Sequence, residues 1–156
     1  MNVKLATKED ILCLVRLRFD YFTAEGWEIN QTQRKQLQQS LVEYYKKHLG
    51  QDFFAVLTGF PDIVSAAFLV LYERPSNPFV PTGKTGMIFN MLTYEPHRRK
   101  GYALLTMNAL LSVARQKGAS YVELTASHMG RPLYDKLGFT ENAEQDMPRM
   151  KLILKQ

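Results

Sequence analysis

The stretch that most constrains the fold is residues 87–126. Residues 87–94 are apolar and β-prone, and the hexapeptide Arg98-Arg99-Lys100-Gly101-Tyr102-Ala103 follows them. Over residues 101–117, Ala103, Leu104, Met107, Leu110, Leu111 and Ala114 fall on one helical stripe, and Gly118 ends the run. Residues 121–126 again read as a strand. Strand, long helix and strand in this order make a parallel crossover, which is right-handed when it packs back on its own sheet. Parallel strands need helices around them, so the chain is predicted to be mixed α/β.

The other segments fit around that unit. Residues 2–6 alternate weakly, as a short strand would. Thr7 followed by Lys8, Glu9 and Asp10 reads as a helix start, and Ile11, Val15, Phe19 and Phe22 continue it to about Thr23. Asn30 caps a second helix to His48, closed by Gly50. Residues 53–58 and 63–73, joined by Gly59-Phe60-Pro61-Asp62, read as a hairpin. Residues 75–85 form a proline-rich loop, residues 132–137 a short helix stopped by Gly138, and residues 149–154 a last strand. The order is β-α-α-β-β-β-α-β-α-β in 156 residues, read as one domain.

Chemistry concentrates at residues 98–103. A loop that opens a helix presents unpaired amides and the positive end of the helix dipole, which together favour an anion. Gly101 permits a tight turn and close approach of a phosphate, Ala103 is small, and three cationic side chains add attraction. The alternative is a solvated basic loop. Neither Gly-x-x-x-x-Gly-Lys-Ser/Thr nor Gly-x-Gly-x-x-Gly occurs, which argues against the common nucleotide-binding loops. The net charge is +5, from 20 Lys and Arg against 15 Asp and Glu. Such a surplus suits nucleic acid, acidic lipid or a phosphorylated small molecule. Three of the 20 cations sit in this loop, so the surplus is largely local. The basic residues form no groove-reading helix and no aromatic–basic sheet motif, so nucleic acid is not the expected partner. The longest mainly apolar stretch, around residues 63–72, is about half of the roughly 20 residues a membrane span needs. Cys13 is the only cysteine and no apolar signal segment opens the chain, so a cytoplasmic location is expected. His48, His97 and His128 show no metal spacing.

Arg98-x-x-Gly101-x-Ala103 resembles the pyrophosphate loop of the GNAT superfamily of acyl-CoA-dependent N-acetyltransferases. The segment Arg131-Pro132-Leu133-Tyr134-Asp135-Lys136-Leu137-Gly138-Phe139 is similar to that family's Leu-Tyr-x-x-x-Gly-Phe signature. The two lie in the family's order, with its helix and strand between them, and the resemblance is sharp over residues 86–140. It implies a three-layer fold with a mixed sheet of six to seven strands and about four helices. It also implies acetyl-CoA as acyl donor, an amine of a small molecule or peptide as acceptor, no metal, and a homodimer as one assembly. The pyrophosphate would rest on amides around Arg99 to Leu104, flanked by Arg98, Lys100, Gly101, Tyr102 and Ala103. Main-chain groups of Leu92 and Thr93 would pair with the pantetheine like an added strand. Tyr134 would protonate the departing thiolate, and Ser127 stands where many members carry Asn.

An amine must be neutral to attack a thioester, so some group must take its proton. Glu95, just past the strand, is the tempting carboxylate. Tyr21, Glu25, Trp27 and Glu28, within the acceptor-side helices of residues 8–50, are candidates for substrate contact. The alternative is a non-catalytic CoA-binding or partner-binding module on the same fold.

Overall fold

The computed structural model describes residues 2–141 and 151–154. It divides into two compact units, Met1–Thr125 and Ala126–Gln156.

In the first unit the strands β1 (Val3–Leu5), β2 (Phe53–Thr58), β3 (Ser65–Glu73), β4 (Lys84–Thr93) and β5 (Val122–Glu123) form one sheet in the order β1-β2-β3-β4-β5. The first four pair antiparallel, and β5 joins β4 in parallel through the helix α3 (Tyr102–Gln116). This is the crossover expected from residues 87–126. Helices α1 (Ile11–Ala24) and α2 (Gln31–His48) fill the connection between β1 and β2.

The sheet is covered on both faces, which is why all six residues of β2 are buried. Phe53, Ala55 and Leu57, with Ala66 and Phe68 of β3, join one core with Leu14, Leu17, Phe19 and Phe22 of α1 and Tyr45 of α2. The alternate residues face α3, as the hydrogen bond between Thr58 and Thr106 shows. The helix starts follow the sequence signals. Asn30 caps α2 by accepting the Gln33 amide at 2.9 Å, while the Gln33 side chain accepts the Asn30 amide at 3.0 Å. Ahead of α1, the Thr7 amide and hydroxyl both donate to the Asp10 carboxylate, at 2.8 and 3.2 Å, across a single 3₁₀ turn, Lys8–Asp10.

β4 is irregular. Its pairing with β3 runs Ala66↔Leu92 but Phe68↔Phe89, so β4 carries one extra residue there. Asn90 takes up the excess at φ +54°. The bulge turns two successive side chains to the α1 face. Phe89 packs against Phe68 and Phe53, and Asn90 hydrogen-bonds to α1. The parallel pairing with β5 is confined to Gly86↔Val122 and Met87↔Glu123, before the bulge.

The second unit contains α4 (Arg131–Lys136), followed by Gly138 at φ +86°.

Three expectations need correction. Among the described residues the sheet has five strands rather than six to seven. The expected strand at residues 121–126 is only Val122–Glu123, because beyond the bulge no residue of β4 pairs with it. Of the expected strand at residues 149–154, positions 149–150 lie outside the described residues and 151–154 are irregular and exposed.

Candidate functional site

The first half of the site is the open end of β4. The Tyr94 amide donates to the Val64 carbonyl, on the β3 side. Backbone groups alternate along a strand, so the amide and carbonyl of Thr93 face the opposite edge, where β5 has already stopped pairing. The Leu92 carbonyl follows the same alternation and accepts from the Ser65 hydroxyl at 3.0 Å on the β3 side. The Leu92 side chain belongs to the core. Of the pair Leu92 and Thr93, Thr93 therefore presents main-chain groups to the open edge. Arg98 folds back to this point and donates from Nε to the Thr93 carbonyl at 3.1 Å. The basic loop is thereby tied to the strand end.

The second half is the start of α3. A single 3₁₀ turn, Glu95–His97, leads from β4 into the loop. Arg99 at φ +61° and Gly101 at φ +85° both adopt left-handed backbone. Gly101 is the N-cap and has no side chain with which to cap, and the Leu105 amide is the first to find a carbonyl within the helix, that of Gly101 at 3.0 Å. The amides of Tyr102, Ala103 and Leu104 precede it. Space beside Gly101 is open, since an added Cβ would meet nothing within 4 Å. Lys100 donates to the Pro96 carbonyl at 2.8 Å, and Arg99 is exposed.

A buried hydroxyl chain fixes the helix beneath this loop. Thr106 donates to the Tyr102 carbonyl at 2.8 Å, so its single proton is used, and Thr58 donates to Thr106 across 2.7 Å. Uncapped amides, open space and fixed cations suit a pyrophosphate, and the free edge at Thr93 suits an extended amide arm.

Glu95 is exposed, and its carboxylate pairs with none of the described residues. Tyr21 and Trp27 meet edge to face at 6.3 Å, and Trp27 stacks on Phe22 at 5.2 Å. Glu25 and Glu28 are exposed. In the second unit, the Ser127 hydroxyl accepts the Gly130 amide at 3.1 Å and retains its own proton to donate. Tyr134 is buried and meets Phe139 edge to face at 5.8 Å. Gly130 lies tight against it, since a Cβ there would come within 2.9 Å of the Tyr134 ring.

A scan of family models matches the acetyltransferase (GNAT) family over residues 20–139, which takes in β4, the basic loop, α3 and Tyr134. The chain belongs to the GNAT acetyltransferase family. The crystal structure of a predicted acetyltransferase from Clostridium acetobutylicum, with acetyl-CoA, shares 27% identity over 98% of this chain and 96% of its own, with a TM-score of 0.83. Two more distant structures show the fold alone. An aminoglycoside acetyltransferase from an uncultured soil metagenomic sample is 18% identical over 96% of this chain and 98% of its own, at a TM-score of 0.69. A ribosomal-protein-alanine N-acetyltransferase from Brucella melitensis is 17% identical over 96% and 100%, at 0.66. Their names point to unlike acceptors, so the GNAT fold does not by itself choose one. No curated protein matches this chain in sequence. No helix among the described residues is long and apolar enough to cross a membrane.

Three features of this GNAT chain escape sequence reading. Asn90 is fully buried, accepts from Arg18 Nη1 at 3.1 Å and donates to the Leu17 carbonyl at 3.3 Å. The Tyr94 hydroxyl donates to Asp20 at 2.5 Å, and burial together with that carboxylate raises the phenol well above its ordinary pKa. Arg18 itself is half-buried among aromatic rings. The one available signal was Asn90, a poor strand former inside an apolar run.

Proposed function

We propose that the protein transfers the acetyl group of acetyl-CoA to a primary amine by direct attack on the thioester. The observation that carries this reading is the conjunction, within one unit, of the open β4 edge at Thr93 and the uncapped, basic start of α3. The family and the acetyl-CoA held by the Clostridium relative support it.

Acetyl-CoA supplies an activated acyl carbon and a thiolate leaving group. The amides of Tyr102, Ala103 and Leu104 hold the pyrophosphate, with Arg98, Arg99 and Lys100 adding charge. The Thr93 amide accompanies the pantetheine arm and polarises the thioester carbonyl, and Ser127 donates its hydroxyl proton to that arm. The amine nitrogen bonds to the acyl carbon as the carbon–sulfur bond breaks. Glu95 takes the surplus amine proton through water, and Tyr134 gives the thiolate a proton. The roles of Ser127 and Tyr134 rest on the sequence signature around them.

Calorimetric titration with acetyl-CoA tests the donor half, and release of free thiol across an amine panel tests the transfer. Saturable binding with thiol release from some amines is expected. Absence of binding refutes the reading, and binding without thiol release on any amine replaces it with a non-catalytic CoA module.

A further inference from the structure

Arg18 is a half-buried guanidinium of α1 whose charge the fold leaves unmatched among the described residues. It projects from α1 toward the bulge of β4. Nη1 donates to Asn90, and the planar group lies over Phe22 at 4.5 Å, Phe89 at 5.2 Å and Tyr21 at 5.7 Å. No described carboxylate forms an ion pair with it. Burial pulls its pKa below the ordinary arginine value, and the groups that oppose this are the phenols of Tyr45 and Tyr21. Elsewhere in the unit a partly buried cation has its anion: Lys4 meets Asp10 at 2.7 Å. Burying a charge without a counter-ion is costly. Arginine has five donors in a planar fork, and Asn90 uses one.

We propose that Arg18 is the anchor for a carboxylate on the acceptor, so that the substrates of this protein are amines that also carry a carboxylate, as an amino acid or a short peptide does. The inference rests on the acetyltransfer reading above. A single guanidinium fork matches the two oxygens of a carboxylate monoanion, whereas a phosphate dianion calls for a second cation that the cluster lacks. The placement agrees with this. Arg18 reaches β4 at Asn90, three residues before Thr93 on the strand whose edge is open there. Tyr21, Phe22 and Trp27 wall the same cluster and would pack the acceptor's side chain.

Trp27 is the chain's only tryptophan and stacks on the ring that carries Arg18, so its fluorescence reads this site directly. The test titrates the full chain, with CoA present, with the protein amino acids and with their carboxamides, which keep the amine and lose the carboxylate. At least one acid is expected to give a saturable change on the order of tenfold tighter than its amide, the preference of a charge-assisted pair over a neutral one. In Arg18→Gln that acid–amide preference falls to about one, while acetyl-CoA binding measured by calorimetry stays unchanged. Arg18→Lys keeps the charge without the fork and recovers part of the preference. Equal response to acid and amide, a preference that survives Arg18→Gln, or no response to any acid overturns the proposal. Failure of acetyl-CoA to bind is a different result, which refutes the acetyltransfer reading.

Discussion

Replacing Asn90 tests the account of β4 at its most demanding point. The residue is fully buried at φ +54° and holds two hydrogen bonds. Asn90→Ala removes the bond from the Arg18 guanidinium, worth about 1.5–3 kcal/mol as a bond to a charged group, and the bond to the Leu17 carbonyl, worth about 0.5–1.5 kcal/mol. It also puts a side chain with no local hydrogen bond into left-handed backbone, at about 1–2 kcal/mol. The contributions share partners and overlap, so the expected loss is about 3–5 kcal/mol. A domain's whole stability is about 5–15 kcal/mol, so the variant still folds in buffer. Asn90→Gly removes the same two bonds but relieves the backbone, at the cost of extra freedom in the unfolded chain of about 0.5–1 kcal/mol. The glycine variant should therefore be the more stable of the two, by about 0.5–1 kcal/mol.

Urea unfolding followed by Trp27 fluorescence gives both values from the midpoints and slopes. Thermal melts provide a second measure, since each kcal/mol moves the Tm of a chain this size by roughly 2–4 °C. A loss below about 1 kcal/mol for Asn90→Ala would show that the Arg18 and Leu17 contacts contribute little. Equal stability of the alanine and glycine variants would refute the strain argument while leaving the contacts standing.

The remaining predictions concern the donor site and one charge pair. Gly101→Ala keeps the protein folded, since its Cβ meets open space, but costs about 1–2 kcal/mol in the left-handed position and weakens acetyl-CoA binding measured by calorimetry. Tyr134→Phe lowers kcat by about 10²–10⁴-fold with little change in acetyl-CoA affinity, as read by thiol release and calorimetry; an unchanged kcat removes Tyr134 from the mechanism. Asp10 is buried, which pushes its pKa up, but hydrogen bonds from Lys4 and from the Thr7 amide, with the Lys4 charge, outweigh this and leave it below the ordinary value. A depressed folded pKa gives stability that is present above the unfolded value of about 3.9 and lost as pH falls through the folded one. The Tm gap between wild type and Asp10→Asn should thus be constant near neutrality and close only below about pH 4.

What the sequence disclosed and what it withheld divide along contact range. Helix α2 was legible because its cap is local: Asn30 and Gln33 satisfy each other's amides wherever the helix sits. The β2–β3 hairpin and the stripe of α3 were legible for the same reason, through a turn and a period. The turn at Arg98 to Ala103 was legible because a glycine ahead of a helix start depends on few residues close in sequence. The bulge was not, because an extra residue in β4 exists only relative to β3, and register is a property of the pair. The early end of β5 follows from the bulge and was hidden with it. Arg18 and Asn90 are 72 positions apart, and no periodicity connects a basic residue on an amphipathic helix to an amide in a strand.

The same division separates the proposed donor half of the site, whose parts are close in sequence, from the proposed acceptor half, whose parts are not. The proposed donor site would recognise phosphates and amides with main-chain groups, so its trace is a turn with a glycine and a cluster of charge. The proposed acceptor site is assembled from side chains of α1, the segment after it, and the bulged part of β4. Its specificity lies in an imbalance, a guanidinium without a carboxylate, and such an imbalance is visible only once every neighbour of Arg18 is in place. Asn90 is the joint between the halves. Its left-handed backbone produces the bulge beyond which the β4 edge is open, and its side chain fixes the cation that would receive the acceptor. Asn90→Gly separates these duties. It retains a residue that favours the bulge, so acetyl-CoA binding should persist, while Arg18 loses its anchor and the acid–amide preference should shrink. Loss of both together would mean that the side chain of Asn90, rather than its backbone, sets the strand's shape.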